Sequence, residues 1–259
     1  MAVNMKIQIN WKLFFLLLVL SIVTVLLVMP YSLALTGKQN ELTPVLLLLS
    51  LVQNLVLFAA AIFFGLILSS KIGMGAPILE GLLAKKNQSK NLKSILAPSV
   101  ALGVFGGILI ILLSLLFQSL SAEMLEAEKA VAAWQAFLAS FYGGIGEEIM
   151  FRLFVVSLFV WITFKIKKTK EGLPTNFGIW LSIILTAVLF GLGHLGITGE
   201  ITTITATVII RAILLNGVVA VIYGWLYWKK GLEAAMIAHF STDIVIHVIT
   251  PLVALVINA

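Results

Sequence analysis

An all-α, polytopic transmembrane helix bundle is the fold that this sequence predicts, on three observations. Hydrophobic residues fill 61% of the 259 positions and charged residues only 11%, against roughly 25% charged in an ordinary soluble domain. The apolar residues form blocks long enough to cross a hydrocarbon core of about 30 Å. The lysines gather between alternate blocks, as expected if they favour cytoplasmic loops.

The first block, about 13–35, follows Lys6 and Lys12 and carries no charge. Ser32-Leu33-Ala34 resembles a signal-peptidase site. The apolar run exceeds the roughly 7–15 residues of a signal-peptide core, however, and more spans follow, so a retained first span is the preferred reading. The second and third blocks lie at about 43–69 and 95–120. Segments 75–95 and 121–141 mix apolar and charged residues with helix formers, and both are expected to lie along the membrane interface. Blocks at about 134–164, 177–197 and 203–228 give spans four to six. The last, 232–257, contains Pro251 and reads either as one kinked helix or as a helix with a short return, so the total is seven spans or eight. Trp180, Trp225, Tyr227 and Trp228 fit an aromatic belt. With no repeat, low-complexity tract or linker, 1–259 reads as a single transmembrane domain.

Charge counting tests this division. One set of connecting segments holds Lys6, Lys12, Lys71, Lys85, Lys86, Lys90, Lys93, Lys165, Lys167, Lys168, Lys170, Lys229 and Lys230, while the other holds only Lys38 and Lys129. The N-terminus is therefore expected in the cytoplasm, and seven spans leave the C-terminus outside. The pattern, with no organelle-targeting segment, points to a bacterial plasma membrane. The net charge of +6 is not gathered on a basic face, so nucleic acid is excluded as a partner and membrane lipid is the expected surround. The chain has no cysteine. Thiolate chemistry is thus excluded, and any metal needs His and carboxylate ligands.

Charged side chains inside spans cost about 2.5–3.5 kcal/mol each on insertion scales, so each needs a partner or a purpose. Here they are Glu147, Glu148 and Arg152 in the fourth span, Arg211 in the sixth, and Asp243 between His239 and His247 in the seventh, with His194 in the fifth. Glu148 and Arg152 stand at i,i+4 on one helix face and can pair, while Glu147 points about 100° away and stays free. Gly143, Gly144 and Gly146 let another backbone approach and are expected to break the helix just before the acid pair. His239, Asp243 and His247 repeat every four residues on a stripe expected to face the interior. His194 lies among Gly191, Gly193 and Gly196, which permit tight packing around the imidazole.

Bland readings stand beside these. Glu148 and Arg152 can be a structural ion pair, a lone His194 is more often a packing hydrogen-bonder, and His247 lies near the outer boundary, where an interfacial role outweighs a functional one. For Arg211, pairing with Glu200, snorkelling and carboxylate binding are unranked alternatives.

The chemistry suggested is water activation. A Glu carboxylate beside an imidazole can take a proton from water in a site of low dielectric. A second imidazole and a polar neighbour can stabilise the oxyanion formed at a peptide carbonyl. Alternatively, one Glu and two His can hold a catalytic zinc with an open fourth position, with Glu147, His194 and His239 as the ligand set. The cofactor expectation is thus either none or one divalent metal such as zinc.

Three motifs in order, EEIMFR (147–152), FGLGH (190–194) and HFSTD (239–243), resemble those of the CAAX-protease and bacteriocin-processing family of intramembrane proteases. The patterns are EExxxR, FxxxH and Hxxx followed by Asn or Asp, and the resemblance covers about 134–247. It implies a helical membrane endopeptidase in which Glu147 is the general base, assisted by His194, with Glu148 and Arg152 supporting it. His239 and Asp243 would form the oxyanion-stabilising side. Prenyl-processing members often carry Asn in the last motif. Asp243 must instead be protonated, orient His239 or help bind a metal, since an ionised carboxylate cannot donate a hydrogen bond. The implied partner is a short peptide or protein segment at the membrane, as the bacterial relatives suggest. Two rival classes remain: a non-catalytic immunity or scaffold protein on the same fold, and a proton-coupled transporter, against which the sequence shows no inverted repeat.

Overall fold

Helices start and stop where the sequence supplies caps, as seen in a computed structural model that describes residues 9–257. Helix α1, Trp11–Thr36, begins where the Asn10 side chain accepts from the Leu13 N–H at 3.2 Å and ends at Gly37 in the left-handed region, φ 70°. Helix α2, Pro44–Ile72, has Thr43 as its N-cap, Pro44 in its first turn, and Gly73 at φ 71° as its stop. These are the residue types that satisfy orphan N–H groups at one end and adopt a left-handed turn at the other. A short helix α3, Pro77–Leu83, precedes α4, Ser89–Ser114, which runs on as a 3₁₀ turn, and α5 covers Ser121–Lys129.

The fourth span is one continuous helical rod of four parts: α6, Ala133–Phe141, then π-helical Tyr142–Glu147 and Ile149–Val156, then α7, Ser157–Ile166. Helix α8, Asn176–Gly193, is capped by Thr175 and followed by a short α9, Leu195–Gly199. Thr205 caps α10, Ala206–Lys230, and Gly231 at φ 96° turns the chain into α11, Leu232–Asp243. A π-helical stretch, Ile244–Ile249, leads into α12, Thr250–Ile257.

Seven of these rods are long and apolar enough to cross a membrane: Trp11–Thr36, Pro44–Ile72, Ser89–Phe117, Ala133–Ile166, Asn176–Gly199, Ala206–Lys230 and Leu232–Ala254. With no strand among the described residues, the chain is an all-α polytopic membrane protein. The last block is one rod through Ala254 rather than a helix and a return, with Pro251 just after the π-helical stretch, where the backbone bonding is already widened. Two expected boundaries differ. The third span starts at Ser89, with Lys90 and Lys93 exposed in its first turns, where long side chains can keep their charge in water. Residues 133–141, expected at the interface with 121–132, open the fourth span instead.

Glycines set the helix spacing. A Cβ at Gly191 would meet the Ile213 backbone and Ala212 O, and one at Gly65 would meet Leu153 O at 2.9 Å. Such contacts bring α8 against α10 and α2 against the fourth span, as small residues do in lipid, where apolar burial gives helices little reason to associate. Outward faces stay apolar, as on α2 with Val45, Leu48, Val52 and Val56 exposed. The buried centre holds Arg152, Tyr223, Glu148 and His239.

Candidate active site

Where a break was expected before the acid pair, the helix widens instead. Residues 142–156 stay helical but bond i→i+5 around Glu148, a geometry that appears mostly as short bulges, frequently at functional sites. Gly143 and Gly144 admit the seventh span, and Gly146 faces Thr24 of the first. A Cβ at Gly143 would overlap the Asp243 carboxylate and stand 3.1 Å from His239 Nε2; at Gly144 it would meet Phe240 Cβ at 2.9 Å and Met236 O at 3.1 Å.

Glu148 lies at the centre, fully buried. Its Oε1 stands 3.1 Å from Arg152 Nη1 in an ion pair and accepts from His239 Nδ1 at 2.8 Å. The Arg152 guanidinium donates from Nη2 to Ala220 O at 3.1 Å and lies between the rings of Phe190 and Tyr223, 4.9 and 5.2 Å from their centroids. Glu148 Oε2, Arg152 Nε and Arg152 Nη1 are buried without a hydrogen-bond partner. A pair so incompletely satisfied recovers little of its desolvation cost, and its consequence is geometric: it fixes the imidazole.

Held at Nδ1 and stacked on Tyr223 at 4.5 Å and 18°, His239 aims Nε2 at two more carboxylates. Glu147 Oε2 is 3.7 Å away and Asp243 Oδ1 3.6 Å. His194 closes α8. Its Nδ1 donates to Phe190 O at 2.8 Å, since a carbonyl can only accept, and this leaves the Nε2 lone pair free in the neutral ring. Phe190 packs edge-on against both imidazoles, 4.7 Å from His194 and 5.7 Å from His239.

Glu147, His194, His239 and Asp243 all line one cavity of about 960 Å³. Glu148 and Arg152 lie behind it, and the imidazole nearest Glu147 is His239 rather than His194. His247 also lines this cavity, 3.5 Å from the Tyr31 hydroxyl through Nδ1. The stripe of His239, Asp243 and His247 thus faces the interior as expected. Arg211 reaches the cavity wall too, while Glu200 pairs with Lys38 instead. Near the rim, burial pushes the Glu128 carboxyl above its ordinary value and Arg211 partly opposes this.

Among the described residues no three His, Asp or Glu side chains are grouped so as to hold a metal ion. Glu147, His194 and His239 share a cavity wall but do not group as a coordination centre. The donor set does not fit a metal in this arrangement. What it can do is present two acceptors to one cavity, the Glu147 carboxylate and His194 Nε2, beside His239, which with Nδ1–H given to Glu148 donates from Nε2 as the imidazolium.

Sequence reasoning missed Tyr223, the floor on which His239 stacks, and the Ala220 carbonyl that anchors Arg152. Neither has a distinguishing signal in α10, where tyrosines and alanines are common and only folding selects one of each.

Residues 129–245 match a family model described as Type II CAAX prenyl endopeptidase Rce1-like. No curated protein and no solved structure matches the chain.

Proposed function

We propose that this chain, which residues 129–245 make a member of the CAAX-protease family, hydrolyses a peptide bond in a short membrane-associated segment with water activated by Glu147. One observation carries the reading. Glu147 is held 3.7 Å from an imidazole that Glu148 fixes at 2.8 Å, on the wall of a cavity that also takes in His194.

In the proposed reaction, water lies between Glu147 and His194 Nε2. Its oxygen bonds to the substrate carbonyl carbon as Glu147 takes its proton. His239, protonated at Nε2, donates to the oxyanion, and Asp243 keeps that ring oriented. When the tetrahedral centre collapses, the C–N bond breaks and the amine leaves with the proton from Glu147, giving a new carboxyl terminus and a new amino terminus. Glu148 and Arg152 touch no reacting atom; they position His239. The donor spacing supports a route through these residues alone. A transmembrane substrate would have to unwind first, because helical carbonyls are already hydrogen-bonded.

The side of access is part of the proposal. Cavity residues Tyr31, Leu35, Ser114, Glu128, Thr198 and Arg211 all lie towards the lysine-poor ends of the spans. With the N-terminus in the cytoplasm of a bacterial cell, the mouth is extracytoplasmic, whereas prenyl-processing relatives act on the cytosolic side. A prenylated cytosolic tail is therefore not the proposed substrate.

The test is peptide cleavage followed by mass spectrometry, with purified protein in lipid and a library of hydrophobic membrane-binding peptides. Products from wild type that disappear in Glu147→Ala and persist with a chelator are expected. Identical products from the variant would remove Glu147 from the mechanism, and chelator-sensitive cleavage would overturn the metal-free route. If neither protein cuts and Glu147→Ala keeps the biological effect, the chain is a scaffold.

A further inference from the structure

One face of α10 lines the cavity along its depth. Arg211, Ala212, Leu215, Asn216, Val219 and Tyr223 all belong to its wall, and Tyr223 carries the His239 ring. At 1.5 Å per residue, the twelve positions from Tyr223 to Arg211 span about 18 Å of helix axis, from the reacting groups towards the lysine-poor mouth.

Arg211 is the basic group at the far end of this wall, and it closes no ion pair with another described residue. Glu200, the acid nearest in sequence, is taken by Lys38. No ion pair to Arg211 occurs among the described residues, and its buried Nε has no hydrogen-bond partner. Glu128, on the same wall, is near enough to feel its charge but makes no ion pair with it. A guanidinium with an orphaned buried N–H offers a fork suited to a planar carboxylate.

We propose that Arg211 is a subsite for a carboxylate of the substrate, so that peptides are cut a fixed distance ahead of that carboxylate. The inference rests on the endopeptidase reading and adds its specificity. An extended peptide rises about 3.3 Å per residue, so about four to six residues bridge the α10 wall from the scissile bond to Arg211. Carboxylates of two origins meet this description, the free C-terminus of a short peptide and an Asp or Glu side chain of a longer one. Leu215 and Val219 between the two ends favour apolar residues in that stretch.

The experiment uses full-length protein in lipid nanodiscs and three otherwise identical apolar peptides. The first ends in a free carboxylate about five residues past the cleavage site; the second ends in an amide; the third is amidated with Glu at its last position. Wild type should cut the first with kcat/KM about 10- to 100-fold above the second, the gap a hydrogen bond to a charged group provides, and mostly through KM. Arg211→Gln should treat the two alike, and Arg211→Lys should keep part of the gap, which a merely misfolded variant would not. The third peptide decides the origin of the carboxylate: cleavage like the first admits side chains, and cleavage like the second restricts the subsite to a chain terminus. No preference in wild type, or one that survives in Arg211→Gln, overturns the proposal. Binding of the same labelled peptides to Glu147→Gln, read by fluorescence anisotropy, separates the two readings. Absent cleavage with carboxylate-selective binding sinks the endopeptidase and spares the subsite, whereas equal binding of carboxylate and amide sinks the subsite.

Discussion

Glu147 and Glu148 are adjacent in sequence, yet their carboxylates have different surroundings: Glu147 is 20% exposed to the cavity and Glu148 is fully buried behind His239. A group that exchanges protons with water needs the first environment, and a group that fixes a ring needs the second. Removing the partner of the buried acid should therefore be a stability event. Arg152→Ala leaves Glu148 uncompensated and is expected to cost about 3–5 kcal/mol, seen as a lower melting temperature in detergent. Arg152→Lys should recover only part, since an ammonium cannot reach Ala220 O and fill the slot between Phe190 and Tyr223 as a guanidinium does. At the rim, Glu128 titrates above its ordinary value. A raised carboxyl binds more protons folded than unfolded, so its contribution is full below the unfolded value and fades as pH rises through the folded one. Glu128→Gln should thus gain melting temperature relative to wild type as pH rises from 4 towards neutral; a constant difference across that range would contradict this.

At the scale of elements, the π-helical stretches and the glycines act together. Widening the fourth span sets the acid pair opposite α11, and Gly143 lets Asp243 and His239 occupy the space that a methyl group would take. Gly143→Ala should consequently displace the imidazole or the Asp243 carboxylate. Overpacking costs about 1–3 kcal/mol, and here the expected loss is in kcat of peptide cleavage, about 10-fold or more, with a smaller change in melting temperature. Gly196→Ala is the control, because nothing lies within 4 Å of its Cβ position; equal losses in both variants would contradict the packing argument.

For the whole molecule, the Lys38 to Glu200 ion pair ties the loop after α1 to the segment after α9, so the odd-numbered connections meet on one side as the lysine alternation requires. The chain has no cysteine, which makes single-cysteine labelling unambiguous. In intact cells a membrane-impermeant maleimide should react with Ala130→Cys, at the exposed rim near Glu128, and should reach Lys86→Cys only after lysis. The reverse pattern would put the cavity mouth in the cytoplasm and restore a cytosolic tail as substrate.

Seven spans and the polar residues that the fold gathers around one cavity were legible in the sequence, because burying charge in lipid is so costly that every Glu, Arg and Asp inside a span stands out. The i,i+4 pairing of Glu148 with Arg152 was legible too, since it is local to one helix. Contacts between helices were not. That His239 binds Glu148, stacks on Tyr223 and stands nearer Glu147 than His194 does depends on which faces of the fourth, sixth and seventh spans meet. That choice follows from glycine contacts and from a π-helical widening that alters the 100° step assumed for an α-helix. Whether Arg211 pairs with Glu200 was likewise open until the fold gave Glu200 to Lys38. Sequence determined which groups enter the membrane, through the energetics of single side chains; tertiary structure decided which of them face one another, because that is a property of packed surfaces.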